Sequence, residues 1–474
     1  MTLPAKFVER VLRDLGGTEG AALCAALDAE PPVSVRLNPA KTGAETVSAG
    51  PDAGLPVPEA AGLPALAIAG RVPWSRDGRY LAVRPSFTLD PDFHAGAYYV
   101  QEASSQFVGH LLAAVRTEGA RILDLCAAPG GKTTLYASLA GPDGLVVANE
   151  IDRRRASVLA DNVRKWGTGN VAVTTCEPRA LGDFEAWFDV VAVDAPCSGE
   201  GMFRKDPDAR GEWSEGNVKQ CAARQDEILR EAWRALRPGG TLVYSTCTFN
   251  RDEDEGALER MAAWAGDEIA ESEETAVEDA WGIVCGRVGA FRTFRFYPHR
   301  TCGEGFFAAV ARKSFDAGGR VRASKARRTV FAAVDRKTAG ELARWVRNPG
   351  GMRFAAVADT CYAWYAAQVD AVRTLSEALP VIYSGVALGQ VFKGVLKPDP
   401  ALAFFDGLNR GALPAAELDD EETLRFLRRQ DIAAGGLAEG MNLVCSRGRA
   451  LGFAKRIGAR VNNLYPNSLR IIKQ

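Results

Sequence analysis

The chain has 474 residues, 47% of them apolar and 25% charged, with a formal net charge of −1. That length is too great for one hydrophobic core and implies about two to four domains, and the ordinary composition excludes wholesale disorder. A balance so near zero gives no global push toward nucleic acid, so any such binding must come from local basic patches.

The opening stretch "MTLPAKFVERVLRDLGG" has no basic start followed by an apolar core, so no secretory signal is expected. No run of 18 uncharged apolar residues occurs, no membrane partner is expected, and the chain reads as cytoplasmic. The ten cysteines supply neither a disulfide framework nor a CxxC pair. The three histidines, His94, His110 and His299, are scattered. His299 and Cys302 in "PHRTC" lack a second pair of ligands, and no metal is expected.

In chain order, "PAKFVERVLRDL" places Phe7, Val8, Val11, Leu12 and Leu15 on one helical stripe. A Pro/Gly/Ala-rich stretch follows, carrying two strand-like runs, "VSVRLNP" and "YLAVRP". Residues 1–90 read as a small α/β entry module. A helix is predicted over about 102–115. From residue 121 strands and helices alternate: "RILDLCA", "GLVVANEI", "NVAVTTC", "WFDVVAVDAP" and "GTLVYSTCT" are strands, with a long helix over 217–236 before the last. Such alternation means βαβ units and a mainly parallel, Rossmann-like sheet spanning 91–313, closed by two strands around 294–313. Residues 314–328, after Lys313, read as a basic linker with Arg320, Arg322, Lys325, Arg327 and Arg328. That run is either a solvated tether or an RNA contact. Residues 329–379 read as a connecting α/β region. The Gly-turned strands of 380–474 suggest a small appended β-barrel.

Ligands of an open parallel sheet sit beyond the carboxyl ends of its strands. There "DLCAAPGGKTT" offers a sharp turn at Gly130 and Gly131 and free N–H groups at a helix start. Neither GxxxxGK[ST] nor GxGxxG is present, and alone the turn fits helix–sheet packing equally well. Glu150, about twenty residues on at the end of the second strand, can accept both hydroxyls of an adenosine ribose. Together they point to an adenosine-bearing cofactor. The absence of a phosphate loop points away from ATP and toward S-adenosylmethionine.

Asp194 and Cys197 end the fourth strand and Cys247 the fifth, so both thiols lie at the cofactor rim. Methyl transfer to a pyrimidine C5 needs a thiolate at C6 to make C5 nucleophilic, a partner for N3, and a base to remove the C5 proton. Two thiols and a carboxylate meet that need, but strand placement does not say which thiol attacks.

The stretches "SVRLNP", "YYVQEASS", "DLCAAPGGKT", "NEID", "DAPCSGEGMFRKDP", "YSTCT" and "PHRTCGEGFFAAV" resemble the Sun-type RNA cytosine-C5 methyltransferases, most closely the bacterial small-subunit rRNA enzymes of the RsmF kind. The tail "GRALGFAKRIGARVNNLYPNSLR" looks like that family's C-terminal RNA-binding region, which makes 380–474 PUA-like. The resemblance implies S-adenosylmethionine held by Cys126, Ala127, Ala128, Pro129, Gly130, Gly131, Lys132, Glu150 and Asp194. It implies that Cys247 attacks, that Cys197 serves release, and that Lys132 and Asp194 contact the target base. The family's acidic residue near the adenine falls on either Cys176 or Glu177. The run "RDEDEG" after Cys247 reads as a solvated helix start without a catalytic role.

The target base must be flipped out of folded RNA. Arg36, Arg204, Lys205, Lys455, Arg456, Arg460 and Arg470 are candidates to hold phosphates, which position a substrate without selecting a base. The expected partner is 16S rRNA or the small ribosomal subunit, with the protein a monomer. A tRNA methyltransferase would share every active-site residue, and a ribosome-assembly protein with a decayed site is disfavoured by the intact cysteines. A DNA cytosine methyltransferase would attack with its Pro-Cys thiol and would not need the one in "STCT".

Overall fold

Apolar runs without alternation, such as Phe188–Asp194, mark strands covered on both faces. The computed structural model, which describes residues 2–43, 63–318, 321–326 and 330–472, gathers them into one ten-stranded sheet. Its centre is parallel, in the spatial order Leu236–Thr246, Phe188–Asp194, Arg121–Asp124, Leu145–Asn149, Val171–Thr174. The chain enters at Arg121–Asp124, winds outward to Val171–Thr174, then returns to Phe188–Asp194 on the other side. The crevice between Arg121–Asp124 and Phe188–Asp194 is therefore a topological switch point, where such sheets bind ligands. Strands Phe306–Lys313, Phe291–Phe296 and Val284–Val288 continue the sheet antiparallel on one side.

Helices cover both faces and start on caps that the sequence supplies. Asp152 accepts from the amides of Arg154 and Arg155 at 2.9 and 2.8 Å to begin Arg153–Trp166, and Ser214 accepts from Asn217 to begin Glu215–Ala235. The fully buried Trp166 closes the first of these against the N-terminal strands.

Two expected boundaries move. Strand Tyr98–Tyr99 pairs with Val33–Leu37, so the entry module runs past residue 90. Its two helices, Ala5–Leu15 and Gly17–Ala26, bury Phe7, Val11, Leu23 and Leu27 against Phe203, Trp213 and Phe249 of the catalytic domain. Residue 380 is likewise no boundary, because strand Val381–Ser384 is the antiparallel edge of the catalytic sheet beside Val171–Thr174. The strands before and after it, Thr360–Tyr365 and Val386–Phe392, pair with each other in a five-stranded sheet. The last sheet runs from Ala415–Glu417 to Arg460–Asn463 and shares a core with that one, Leu388 and Trp345 meeting Leu443 and Phe453. The Lys313 side chain is buried, donating to the carbonyls of Trp233 and Leu236, so it closes the sheet just ahead of the 314–328 stretch. Arg320, Arg327 and Arg328 lie outside the described residues.

Gly167 ends helix Arg153–Trp166 at φ +86°, and a Cβ there would meet the Phe404 carbonyl oxygen. Gly167→Ala is expected to cost about 2 kcal/mol or more, from the left-handed backbone and the collision together. Chemical unfolding of the two proteins measures it.

Candidate active site

The turn after strand Arg121–Asp124 is held from three sides. Gly130 takes φ +110° and opens helix Gly131–Ala140. The Pro129 carbonyl accepts from the Tyr99 hydroxyl at 3.1 Å and Asn162 Nδ2 at 2.8 Å, and the Ala128 carbonyl from Arg155 at 3.1 Å. Beneath, Arg36 donates to Gln101 Oε1 at 2.7 Å, the Gly131 carbonyl at 3.0 Å and the Thr134 hydroxyl at 2.6 Å, with its guanidinium 4.5 Å from the centre of the Trp166 ring. The loop is thus set before any ligand arrives.

Three carboxylates face this crevice from the strand ends. Asp124 is buried and accepts from the Thr133 hydroxyl at 2.6 Å. Burial, with Asp194 adding repulsion, pushes its carboxyl up to about 7. Its Oδ1 is buried without a hydrogen-bond partner among the described residues. Glu150, also buried, accepts from the Asp152 amide at 3.0 Å and lies 3.4 Å from Arg155. Burial likewise holds the Cys126 thiol well above its usual range, so it is inert. The Ala127 amide donates to the Asn149 carbonyl at 2.8 Å. Cys176 turns its amide and sulfur toward Asn149 Oδ1, while Glu177 is exposed.

Asp194 joins the crevice to the thiols. Lys132 Nζ lies 2.8 Å from Asp194 Oδ2, and the Ser245 hydroxyl donates to Asp194 Oδ1 at 2.8 Å. Burial opposes the Lys132 charge, but Asp194 outweighs it and Cys247 contributes, so the ammonium is held above its ordinary range. Cys197 and Cys247 meet with their sulfurs 3.2 Å apart. The hydrogen bond to Cys247 and burial push the Cys197 thiol well up. This assembly of two thiols and an ammonium–carboxylate pair at a switch-point crevice is built for nucleophilic chemistry on a bound ligand.

Comparison with known proteins shows the family of the chain. Residues 111–312 match the model of the 16S rRNA methyltransferases RsmB/F, 3–103 that of the N-terminal domain of 16S rRNA methyltransferase RsmF, and 414–471 that of the methyltransferase RsmF PUA domain. Ribosomal RNA small subunit methyltransferase F of Shewanella loihica is 32% identical over 84% of this chain and 83% of its own. The protein of the same name from Erwinia tasmaniensis is 31% identical over 84% of each. The chain belongs to the RsmF family. Its fold is also that of a solved methyltransferase homologue from Pyrococcus horikoshii, 27% identical with a TM-score of 0.52 over 65% of this chain and 94% of the other. NSun6 from the same organism, solved with SFG, shares the fold at 22% identity and a TM-score of 0.51 over 65% of this chain and 98% of its own. S-adenosylmethionine is the cofactor of this RsmF-family chain.

Within the RsmF frame several expected contacts need correction. Arg36 is 1% exposed and holds the cofactor loop, so it cannot meet RNA. The Arg204 side chain is buried as well, paired with Glu304 at 3.0 Å and donating to the Gly303 carbonyl. Arg456 turns its guanidinium onto the carbonyls of Ala434, Leu437 and Gly458, which folds the tail. Lys455, Arg460 and Arg470 are exposed, and Lys205 is partly so. The run "RDEDEG" is only partly solvated: Arg251 and Asp252 are exposed, but Glu253 and Asp254 are fully buried. Asp254 accepts from the Thr246 hydroxyl at 2.6 Å and pairs with Arg295, while Glu253 sits against the Cys197 loop. Sequence reasoning missed Asp124, Ser245 and Glu253. Asp124 and Ser245 stand at strand ends beside singled-out residues, which was the available signal. Glu253 had none, because an acidic run reads as surface.

Arg36→Ala is expected to destabilise the fold by about 2–3 kcal/mol, because buried acceptors lose a charged donor. Its RNA affinity, measured by filter binding below the unfolding range, is expected to stay at the wild-type value.

Proposed function

We propose that the protein methylates C5 of a cytosine in 16S (small-subunit) rRNA through a covalent bond between Cys247 and C6, with Cys197 assisting release. The observation that carries this reading is the 3.2 Å contact of the two sulfurs beside the Lys132–Asp194 pair. S-adenosylmethionine supplies the methyl group. The crevice residues fit it: Glu150 offers a carboxylate to ribose hydroxyls, the Cys126–Lys132 turn offers backbone around it, and the unpartnered Oδ1 of Asp124 leaves an acceptor for a cationic group. Asp194, oriented by Lys132 and Ser245, would be shared by the cofactor and the target base.

The chain's own groups then act in order. Lys132, held charged, is the cation that would offset the charge of a Cys247 thiolate during attack. That thiolate bonds to C6 of a flipped cytosine, and the electron pair moves toward N3, where Lys132 and Asp194 hold the base edge. C5 then takes the methyl group, its proton is removed, and the C6–sulfur bond breaks to return Cys247. Cys197 suits the removal step. Its sulfur stands 3.2 Å from that of Cys247, the atom that bonds C6, which places it beside the carbon that loses the proton. To act as the base, Cys197 first gives its own proton to solvent; its thiolate then takes the C5 proton, the C5–H electron pair restores the C5–C6 double bond, and the C6–sulfur pair leaves as the Cys247 thiolate. Lys455, Arg460 and Arg470, with Lys205 near the cysteines, supply cations for RNA phosphates.

Cys247→Ala is expected to abolish methylation and form no adduct. Cys197→Ala is expected to leave protein attached to RNA on a denaturing gel; an adduct from Cys247→Ala alone would reverse the roles. Bisulfite sequencing of rRNA from cells with and without the protein is expected to show a protein-dependent 5-methylcytosine in 16S rRNA, and its appearance only in tRNA would overturn the substrate. Each exposed tail cation that contacts phosphate is expected to add about 0.7–0.9 to the slope of log affinity against log salt. Replacing Lys455, Arg460 and Arg470 by Ala is expected to flatten that slope by about 2–3 in a salt titration.

A further inference from the structure

We propose that Glu253 is the positioning residue for Cys197, an inference that rests on the release role proposed for that thiol. Its carboxylate binds the peptide group after the cysteine directly and reaches the one before it through Gln225. Glu253 Oε2 accepts from the Ser198 amide, the residue after Cys197, at 2.9 Å. The same oxygen accepts from Gln225 Nε2 at 2.8 Å, and that amide also donates to the carbonyl of Pro196, the residue before Cys197, at 3.1 Å. Asn250 Nδ2 donates to Glu253 Oε1 at 2.7 Å, and Tyr244 donates to the Glu253 carbonyl at 2.6 Å. One buried side chain therefore fixes where the Cys197 sulfur stands relative to Cys247.

The chemistry of this carboxylate is unusual for a purely structural residue. Glu253 is 0% exposed, and none of the ion pairs among the described residues includes it. A buried charge held only by neutral donors is costly, and an apolar side chain packs the same space more cheaply. What an apolar residue cannot do is accept from Ser198 and Gln225 together. Asn250 and Glu253 also lie three and six residues beyond Cys247 on the same turn, so one short segment carries the attacking thiol and the clamp on its neighbour.

The test uses the full chain, S-adenosylmethionine and a 16S rRNA transcript. Glu253→Gln keeps the size but sets an amide donor against the donors that face it. Its turnover is expected to fall about tenfold and KM for RNA to fall with it, the mark of a slowed step after covalent attachment. A denaturation-resistant protein–RNA adduct is expected to accumulate as in Cys197→Ala. In RNA-free protein, iodoacetamide labelling of Cys197 is expected to rise about threefold relative to buried Cys361 and Cys445, because the loop is released and a repelling carboxylate is gone. Gln225→Met, which cuts only the bridge to Pro196, is expected to show the same adduct and labelling changes more weakly. Wild-type turnover without adduct overturns the proposal. So does lost turnover without adduct and with all cysteines labelled faster, the pattern of a residue that only supports the fold. If Cys197→Ala itself gives no adduct, the release role fails, and the labelling of Cys197 still judges whether Glu253 holds it.

Discussion

Two neighbouring parallel strands, Phe188–Asp194 and Leu236–Thr246, run in a register that sets Asp194 opposite Ser245. Everything at the rim depends on that register, because side chains alternate faces and a slip of one residue would turn each partner away. Beyond the strand ends the two loops remain stitched: the Ala195 amide donates to the Ser245 carbonyl, and the Gly201 amide to the Cys247 carbonyl, each at 2.8 Å. Gly201 allows this approach because a Cβ would press on the Gly305 carbonyl. The sulfurs meet because the backbones carrying them are already bonded to each other.

The surroundings of the thiols mix packed aromatic rings with buried polar groups. Phe203 and Phe249, which follow the two cysteines in the chain, pack with Phe7 of the first helix at ring distances of 5.0 and 6.4 Å. Beneath them Glu200 accepts from the Phe249 amide and from Trp213 Nε1, and Arg295 pairs with Asp254 and Glu255. In such a low-dielectric setting each hydrogen bond weighs more, and an unmade one costs more. The N-terminal helices thus complete the catalytic domain from outside it.

Where sequence and structure agree, local pattern and tertiary need coincide. Unbroken apolar runs ending in Asp124, Asn149 and Asp194 announced parallel strands, and rim residues next to Gly and Pro announced the turns that bear them. Charge was where reading from sequence failed. Arg36 and Arg204 look like any surface cation in one dimension, yet long-range partners such as Gln101 and Glu304 enclose them. The run at 252–255 failed for the same reason, since its partners Gln225 and Arg295 lie about thirty and forty residues away. Strand Val381–Ser384 was assigned to the wrong body because a four-residue edge strand carries no mark of which sheet it joins.

The C-terminal sheet is latched to the rest of the protein. Arg447 lies 3.3 and 3.0 Å from Asp90 and Asp92, Arg449 lies 2.8 Å from Asp92, and Ala95 enters the same apolar cluster as Val444 and Leu451. A latched domain works as a calliper. The gap between its exposed Lys455 and Arg460 and the sulfurs of Cys197 and Cys247 is held by these pairs as one fixed span of the fold.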